Sequence, residues 1–528
     1  MLPASARRMS PIRYAEYKYK ILNMINQQRN FYILVILMIF SIYGSSQDVP
    51  FVTKWKTDNK GESCDSCIEI PTEGDNYGYD VDWDNDGIYD EFFTGNAIHD
   101  FGTPGEYTVS IKGSFPRIYF NDWNGAKESQ KLIEILQWGD IKWKTFRKAF
   151  KGCELLTISA TDAPNLTEVT DLSEMFSGAK VLNSDFSSWD VSNIRNMSAM
   201  FNYAMNFNTD ISGWDVSNVT DMSDMFVRAK SFNNDISQWN VSAVQNMEEM
   251  FKIAESFNMP IGTWNVSNVT NMRSMFEEAR AFNQPLNEWD TGSIVVIWGM
   301  FRRASMFNQD LDNWNLSNVN SLISMFSFAT NFNGDISTWD VSNVNDMENM
   351  LLNASSFDHS LGQWNLLSIG STSLDDMLDN CGMKPLTYQS TLDGWASQSP
   401  IPSDINLGCE GLFYCNEDSR NLLIQNGWSF IGDQLTSDAS LCITSTKDEN
   451  LNTQIEIWPN PFLDVLVVKN EQFNYRKILL YSITGTLVSE VVLNAGTNEI
   501  NVSNIPIGMY FLSIVGDGKY QTIKVLKK

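Results

Sequence analysis

The 528-residue chain has very little histidine and a large excess of one charge sign. It contains two histidines, His99 and His359, so a Ser-His-Asp triad or a multi-histidine metal site has almost nothing from which to be built. Lysine and arginine total 37 against 64 aspartates and glutamates, and the net charge of −27 disfavours nucleic-acid partners. Because the acids are spread along the chain, we also expect no enzyme, including a two-carboxylate glycosidase.

The N-terminal apolar run is too short to span a bilayer, which takes about 20 residues. Residues 31–42 form a run of 12, and Gly44–Ser46 then supplies small residues before Gln47. This pattern predicts a secretory signal peptide within residues 1–46, with translation starting at Met24. We therefore expect a mature chain that has no transmembrane segment and is exported through the inner membrane, into a compartment where disulfides form.

The dominant feature of the chain is a repeat with a period of 25 residues. A Met-Phe pair, an alanine, a phenylalanine and a tryptophan return at this interval. The tryptophans are Trp189, Trp214, Trp239, Trp264, Trp289, Trp314, Trp339 and Trp364. A fixed period of this length predicts a solenoid, in which stacked repeats bury a shared core.

Within one repeat, the apolar spacing predicts a short strand and a helix. Residues 211–216 carry β-branched and aromatic side chains, with Trp214 on the buried side of the strand. The helix is predicted from a spacing of i, i+3, i+4 and i+7, at Met222, Met225, Phe226 and Ala229. The tryptophan column is then core rather than a platform for ligands.

The repeated string DISxWDVSNVTDMSxMFxxAxxFN resembles the BspA-type leucine-rich-repeat surface proteins of bacteria, over about residues 138–432. The resemblance implies an extracellular module for adhesion or protein interaction, without catalytic residues. The predicted fold is multidomain, with an α/β right-handed leucine-rich-repeat-like solenoid over residues 138–380. A cap of helix, strand, helix and strand follows at 381–445, and two all-β sandwich domains flank the array.

Two features depart from the general pattern of the repeats. Asn218 follows Val216 by two residues, where the leucine-rich consensus asparagine follows by three. The fifth repeat also departs from the repeated string, because it reads TGSIVVIW at residues 291–298.

The domain predicted at residues 50–125 contains the string PGEYTV, in which Tyr107 and Val109 alternate as on a strand. It resembles PKD-type immunoglobulin-like domains, which implies a spacer or a binding module. The same domain has the alternating carboxylates and turn glycine of a calcium loop, at Asp82, Asp84, Asp86 and Asp90. Phe93 replaces the glutamate of an EF-hand, so an acidic turn without an ion is the alternative; no other cofactor is expected.

The last segment, residues 455–528, follows a polar linker at 446–454 and has strand-like runs that predict a β-sandwich. Its strings PNP at 459–461, IPIGMY at 505–510 and KVLKK at 524–528 resemble the C-terminal sorting domain of type IX secretion. The resemblance implies the type IX machinery as a partner, export to the cell surface or the medium, and removal of the domain on arrival.

The cysteines fall into three groups. Cys153 and Cys381 replace the packed alanine of the repeat, and Cys64 and Cys67 are close enough for a local disulfide. One further bridge is expected within the cap, among Cys409, Cys415 and Cys442.

If the tryptophans point inward, the residue after each of them points outward. These candidate ligand residues, here called the Asx strip, are Asp190, Asp215, Asn240, Asn265, Asp290, Asn315, Asp340 and Asn365. At about 4.8 Å per strand the strip would be roughly 35–40 Å long. It is either a docking face for an extracellular protein or glycan, or a solvated surface.

The sequence therefore predicts a secreted bacterial surface protein that acts in adhesion or protein interaction. The alternative is a carbohydrate-binding protein for polysaccharide capture. That alternative predicts exposed aromatic residues outside the repeat columns, of which Trp298 and Trp395 are the candidates.

Overall fold

The computed structural model describes Lys20 and residues 49–121, 128–442, 455–458, 464–470, 475–482, 486–494, 496–516 and 519–527. Apart from Lys20, the predicted signal peptide lies outside these residues, and so does the predicted linker. The chain divides into two compact units, Met1–Leu441 and Cys442–Lys528. In the described part of the chain, no helix has the length and apolar character needed to cross a membrane.

From residue 49 to residue 158, the described part of the first unit consists mainly of strands. They are β1 (Phe51–Lys56), β2 (Cys67–Ile70), β3 (Gly78–Asp82), β4 (Glu91–Phe93), β5 (Ala97–Asp100), β6 (Glu106–Ser114), β7 (Leu132–Gln137) and β8 (Thr157–Ile158). Six of them form a sheet of order β4-β3-β6-β1-β7-β8, and β2 pairs with β5. The strand predicted around Tyr107 and Val109 is present as β6.

This sheet continues into the repeats. Strand β7 lies beyond the boundary predicted at residue 125, and it pairs antiparallel with β1 and parallel with β8. One hydrophobic core then extends from Phe51 to Trp428. The N-terminal strands and the repeats therefore share their interior within the first unit.

The helix and the strand predicted within each repeat are wrong. The backbone between residues 159 and 384 contains only turns, bends and isolated bridges. The predicted helix at 222–229 is instead two consecutive tight turns, and the predicted strand at 211–216 has no ladder partner. In most of the array, a bridge joins one residue of a repeat to its equivalent in the next, as Asp221 is joined to Asn246.

Two left-handed residues in each repeat explain why no helix forms. Asp224 and Arg228 have φ angles of 58° and 57°. With these kinks, alternate N–H groups point at the next repeat: Asp224 donates to the Glu248 carbonyl and Arg228 to the Lys252 carbonyl, both at 2.8 Å. A left-handed residue costs about 1–2 kcal/mol, which these hydrogen bonds between repeats offset.

The tryptophan column lies in the core, as predicted. Its members are at most 5% exposed. From Trp214 onward each indole N–H donates to a carbonyl of the preceding repeat, as Trp264 does to Ile236 at 3.1 Å. The phenylalanine columns stack beside it, with Phe251 and Phe276 ring centroids 5.7 Å apart.

The cap has the predicted order of helix, strand, helix and strand, with two further short strands. Its elements are α1 (Pro385–Ala396), β9 (Asn406–Gly408), β10 (Phe413–Tyr414), α2 (Asp418–Gln425), β11 (Ser429–Ile431) and β12 (Gln434–Leu435). The Leu378 N–H donates to the Gly408 carbonyl at 3.0 Å. The cap thus continues the hydrogen bonding of the last repeat, whose edge would otherwise be open.

The second unit consists of strands β13 (Ile455–Trp458), β14 (Val465–Asn470), β15 (Tyr475–Ser482), β16 (Leu487–Val492), β17 (Gly496–Asn501), β18 (Gly508–Gly516) and β19 (Lys519–Lys527). They form two antiparallel sheets of order β13-β14-β17 and β16-β15-β18-β19. A separate core includes Leu466, Ile478 and Leu512.

The structure confirms part of the cysteine predictions and identifies which of the remaining cysteines are thiols. Cys64 and Cys67 form the predicted disulfide. Cys153 and Cys381 are buried thiols, as their packing role requires. Cys409 is also a buried thiol, whereas Cys415 and Cys442 are both disulfide-bonded.

Candidate interaction surface

All eight residues of the Asx strip are exposed, one in each repeat. Each also accepts a hydrogen bond from the backbone N–H two residues later. Asp215 accepts from Ser217 at 3.0 Å, and Asn265 accepts from Ser267 at 3.2 Å. The strip therefore faces solvent and at the same time closes one turn per repeat, which is the Asx turn that Asp and Asn favour.

The same chemistry recurs at two other places in the repeat. In the second repeat the triplets DIS, DVS and DMS each begin with an aspartate that accepts the serine N–H. The aspartates are Asp210, Asp215 and Asp221, with distances of 2.9, 3.0 and 2.9 Å. The Asp-apolar-Ser triplets of the sequence indicate these Asx turns. The turns account for much of the polar part of the repeat consensus.

These turns hold the carboxylates in their charged form. The Ser192 hydroxyl, followed by its backbone N–H, lowers the pKa of Asp190 below the usual range. Ser217 and Ser342 lower the pKa of Asp215 and Asp340 in the same way. The strip thus presents negative charge in four of its eight repeats, and neutral asparagines occupy the other four.

The predicted calcium loop brings together three of its four carboxylates. Oxygens of Asp82, Asp84 and Asp86 all lie within 4.8 Å of one another. Asp90 is not one of these three, but its carboxylate stays beside the loop, where it accepts the Trp83 N–H at 2.9 Å. Burial, and then the charge of Asp86, raise the pKa of Asp84 above its usual range, an unfavourable arrangement that a cation would relieve.

The aromatic candidates for a sugar platform are not both accessible. Trp395 is fully buried, and its indole N–H donates to the Leu361 carbonyl at 2.9 Å. Trp298 is half-buried, and the Arg273 guanidinium lies 4.8 Å from its ring centroid. A sugar ring would have to displace this arginine to stack on that face of Trp298.

Two family comparisons agree with this division of the chain. Residues 144–252, 210–298, 235–326 and 286–390 match the family described as Mycoplasma protein of unknown function, DUF285. Residues 456–528 match the secretion system C-terminal sorting domain. No curated protein matches the chain.

The four ranges of the first match overlap, because a family model can align with a repetitive sequence in several registers. All four ranges lie mostly on the stacked turns. The second match coincides with the strands of the second unit. The chain is therefore an exported protein of the cell surface or the medium, with a repeat region and a C-terminal domain that serves the type IX secretion machinery.

Proposed function

We propose that the repeats over residues 138–380 form a solenoid that acts in adhesion or protein–protein interaction outside the cell, without enzymatic activity. The observation that supports this most is the Asx strip, which offers the same kind of polar side chain in eight consecutive repeats. The sorting domain supports an extracellular partner. Residues 50–125 would act as a PKD-like spacer, and the repeats as a BspA-like surface module.

The Asx strip is suited to binding one ligand along several repeats. Asx turns and hydrogen bonds between repeats fix each exposed side chain, so little conformational entropy is lost on binding. Equal groups at regular intervals let several weak contacts act together on one ligand. A repeat protein binds in this way more readily than through a single deep pocket.

The test uses the purified exported chain on an array of extracellular-matrix proteins and glycans. A variant with Asp215→Asn, Asp290→Asn and Asp340→Asn removes three charges from the strip but keeps its Asx turns, because asparagine already occupies this position in other repeats. We expect the chain to bind at least one matrix protein and this variant to lose most of the signal.

The matched control is Asp185→Asn, Asp210→Asn and Asp235→Asn, which removes three charges from another column of Asx turns. It should bind like the unaltered chain. Signal on glycans alone would support polysaccharide capture instead, and an array without signal would contradict the adhesive function.

A further inference from the structure

The cap continues the stacking of the repeats by two further layers. Leu374 of the last repeat is bridged to Leu407 of β9. Strand β9 then pairs in parallel with β11, and β10 pairs in parallel with β12. Residues 429–436 contain β11 and β12, and they form the last of the stacked layers that the structure describes. We call these residues the terminal layer.

The outer edge of the terminal layer pairs with no strand that the structure describes. Among the described residues, β11 pairs only with β9, and β12 pairs only with β10. The Ser429 N–H donates to the Ile405 carbonyl at 2.8 Å. The Ile431 carbonyl accepts from the Cys409 N–H at 3.0 Å. Successive residues of a strand turn their N–H and C=O groups to opposite sides, so the backbone groups of Phe430 point away from β9.

This edge is apolar, and it lacks the residues that usually protect an edge strand. Ile431 and Leu435 are 53% and 49% exposed, whereas Leu407 in the layer below is fully buried. Proteins commonly protect edges with charged side chains or proline, and the edge strands β4 and β16 contain Glu91 and Glu490. Strands β11 and β12 read SFI and QL and contain neither. An edge of this kind is a template for pairing with another strand.

The distribution of charge indicates what can occupy this edge. The net charge of −27 makes two copies of the chain repel each other. Between residues 421 and 437 the only charged residue is Asp433, whose side chain is 1% exposed and accepts two hydrogen bonds from Arg420 at 2.9 Å. A second copy can therefore approach the neutral terminal layer without this repulsion. It also presents the same unprotected edge, which is complementary to itself when the two strands run antiparallel.

We propose that two copies of the exported chain form an end-to-end dimer, in which β11 of one copy pairs antiparallel with β11 of the other. The N–H and C=O groups of Phe430 pair with those of Phe430 in the second copy, and Ile431 lies opposite Ser429 on each side. Two-fold symmetry closes this interface on itself, so the pairing gives dimers and not filaments. The dimer goes beyond the proposed binding function, and it places two Asx strips on one particle for a multivalent ligand.

The first experiment measures the mass of the purified exported chain by sedimentation velocity over a range of concentrations. We expect the mass to double as the concentration rises. The combined variant Ile431→Lys and Leu435→Lys should raise the dissociation constant about tenfold or more, because it places like charges on both edges. The matched control Leu155→Lys and Leu367→Lys adds the same charge at exposed leucines outside the terminal layer and should dimerise like the unaltered chain. Thermal melts show whether both variants are folded.

A second variant tests the geometry of the pairing. Residues 429 and 431 lie opposite each other across the proposed two-fold axis, so Ser429→Cys combined with Ile431→Cys should give a disulfide-linked dimer under mild oxidation, whereas Ser429→Cys alone should not. A chain that stays monomeric, a lysine variant that dimerises like the unaltered chain, or a dimer that the cysteine pair does not link would overturn the proposal. A monomer that instead binds a synthetic extended peptide of alternating valine and threonine would also overturn it, in favour of a site for a strand of another protein.

Discussion

From Trp214 onward, the tryptophan of each repeat stabilises the array in two ways. Its ring fills the core, and its indole N–H binds a carbonyl of the previous repeat. Phenylalanine could supply the first interaction but not the second. This explains why an indole recurs in the seven repeats from Trp214 to Trp364, although neighbouring apolar columns use phenylalanine and methionine.

Substitution of Trp264 separates the two contributions. Trp264→Ala should lower the free energy of unfolding by about 3–5 kcal/mol, because it leaves a large cavity. Trp264→Phe should cost less, about 1–3 kcal/mol, from the lost hydrogen bond and a smaller cavity. Urea unfolding measures both, with Trp298→Phe, outside the column, as the control. Equal costs for Trp264→Phe and Trp298→Phe would contradict a role for the indole bond.

Asp224 predicts a pH dependence of stability. Burial, followed by the charges of Glu249 and Glu248, raises its pKa to about 6, although Arg273 and Lys252 oppose the shift. The folded state therefore holds the proton more tightly than the unfolded state. Its stabilising contribution is complete below the unfolded pKa and is lost as the pH rises through about 6.

At pH 7.5 the charged Asp224 should thus be unfavourable, and Asp224→Asn should raise the free energy of unfolding by roughly 1–2 kcal/mol after allowance for solvent screening. Asparagine also tolerates the left-handed backbone there. At pH 4 the variant and the unaltered chain should differ little. Thermal melts at the two pH values measure this, and a gain of the same size at both would show that the titration plays no part.

At the level of elements, the sequence predicted which residues point inward but not how the backbone runs. Two four-residue turns, each closed by a left-handed residue, return apolar side chains to one side at i, i+3, i+4 and i+7. A helix produces the same spacing. The left-handed positions are occupied by residues as different as Asp224, Ile253 and Phe328, so no glycine pattern revealed the turns. By contrast, the two helices of the cap and the strand character of the C-terminal segment were predicted, because their turns and alternation are ordinary.

Ile253 gives a direct test of the double turn. It is β-branched at a φ of 59°, where its side chain is strained. Asn353 and Asn380 hold the equivalent position in later repeats. Ile253→Asn should therefore stabilise the chain by about 0.5–1 kcal/mol. Ile253→Val should give no gain, and urea unfolding compares the three. If Ile253→Asn destabilised the chain, as in a helix, the double turn would be refuted.

The acidic loop at residues 82–90 should respond to calcium. The oxygens of Asp82, Asp84 and Asp86 are close enough to share one ion. Binding to the folded state alone raises its stability, so calcium should raise the melting temperature of the full chain and a chelator should reverse the effect. Asp84→Ala should abolish this response, while Asp75→Ala, at an exposed acid outside the cluster, should keep it. A melting temperature that excess calcium leaves unchanged would identify the loop as an acidic turn only.

For the whole molecule, the division into units follows the cores rather than the sequence resemblances. Composition and motifs separated residues 50–125 from 138–380, yet β1, β7 and β8 join them in one sheet over one core. Strand pairing between distant segments leaves no periodic trace in the sequence, which is why this junction could not be predicted. The second unit, from Cys442 onward, has its own core and its own sheets.

That independence bears on export. A sorting domain can be removed without damage to the rest only if it shares no core with it, and the two cores here are separate. We expect the exported chain to lack residues 456–528, which intact-mass analysis of the cell-surface or medium fraction would show. A chain that ends at residue 518 lacks β19, which pairs with β18 along its whole length, and should stay inside the cell. An exported species that still contains Lys528 would contradict removal of the domain, and export of the shortened chain would show that the last strand is not part of the signal.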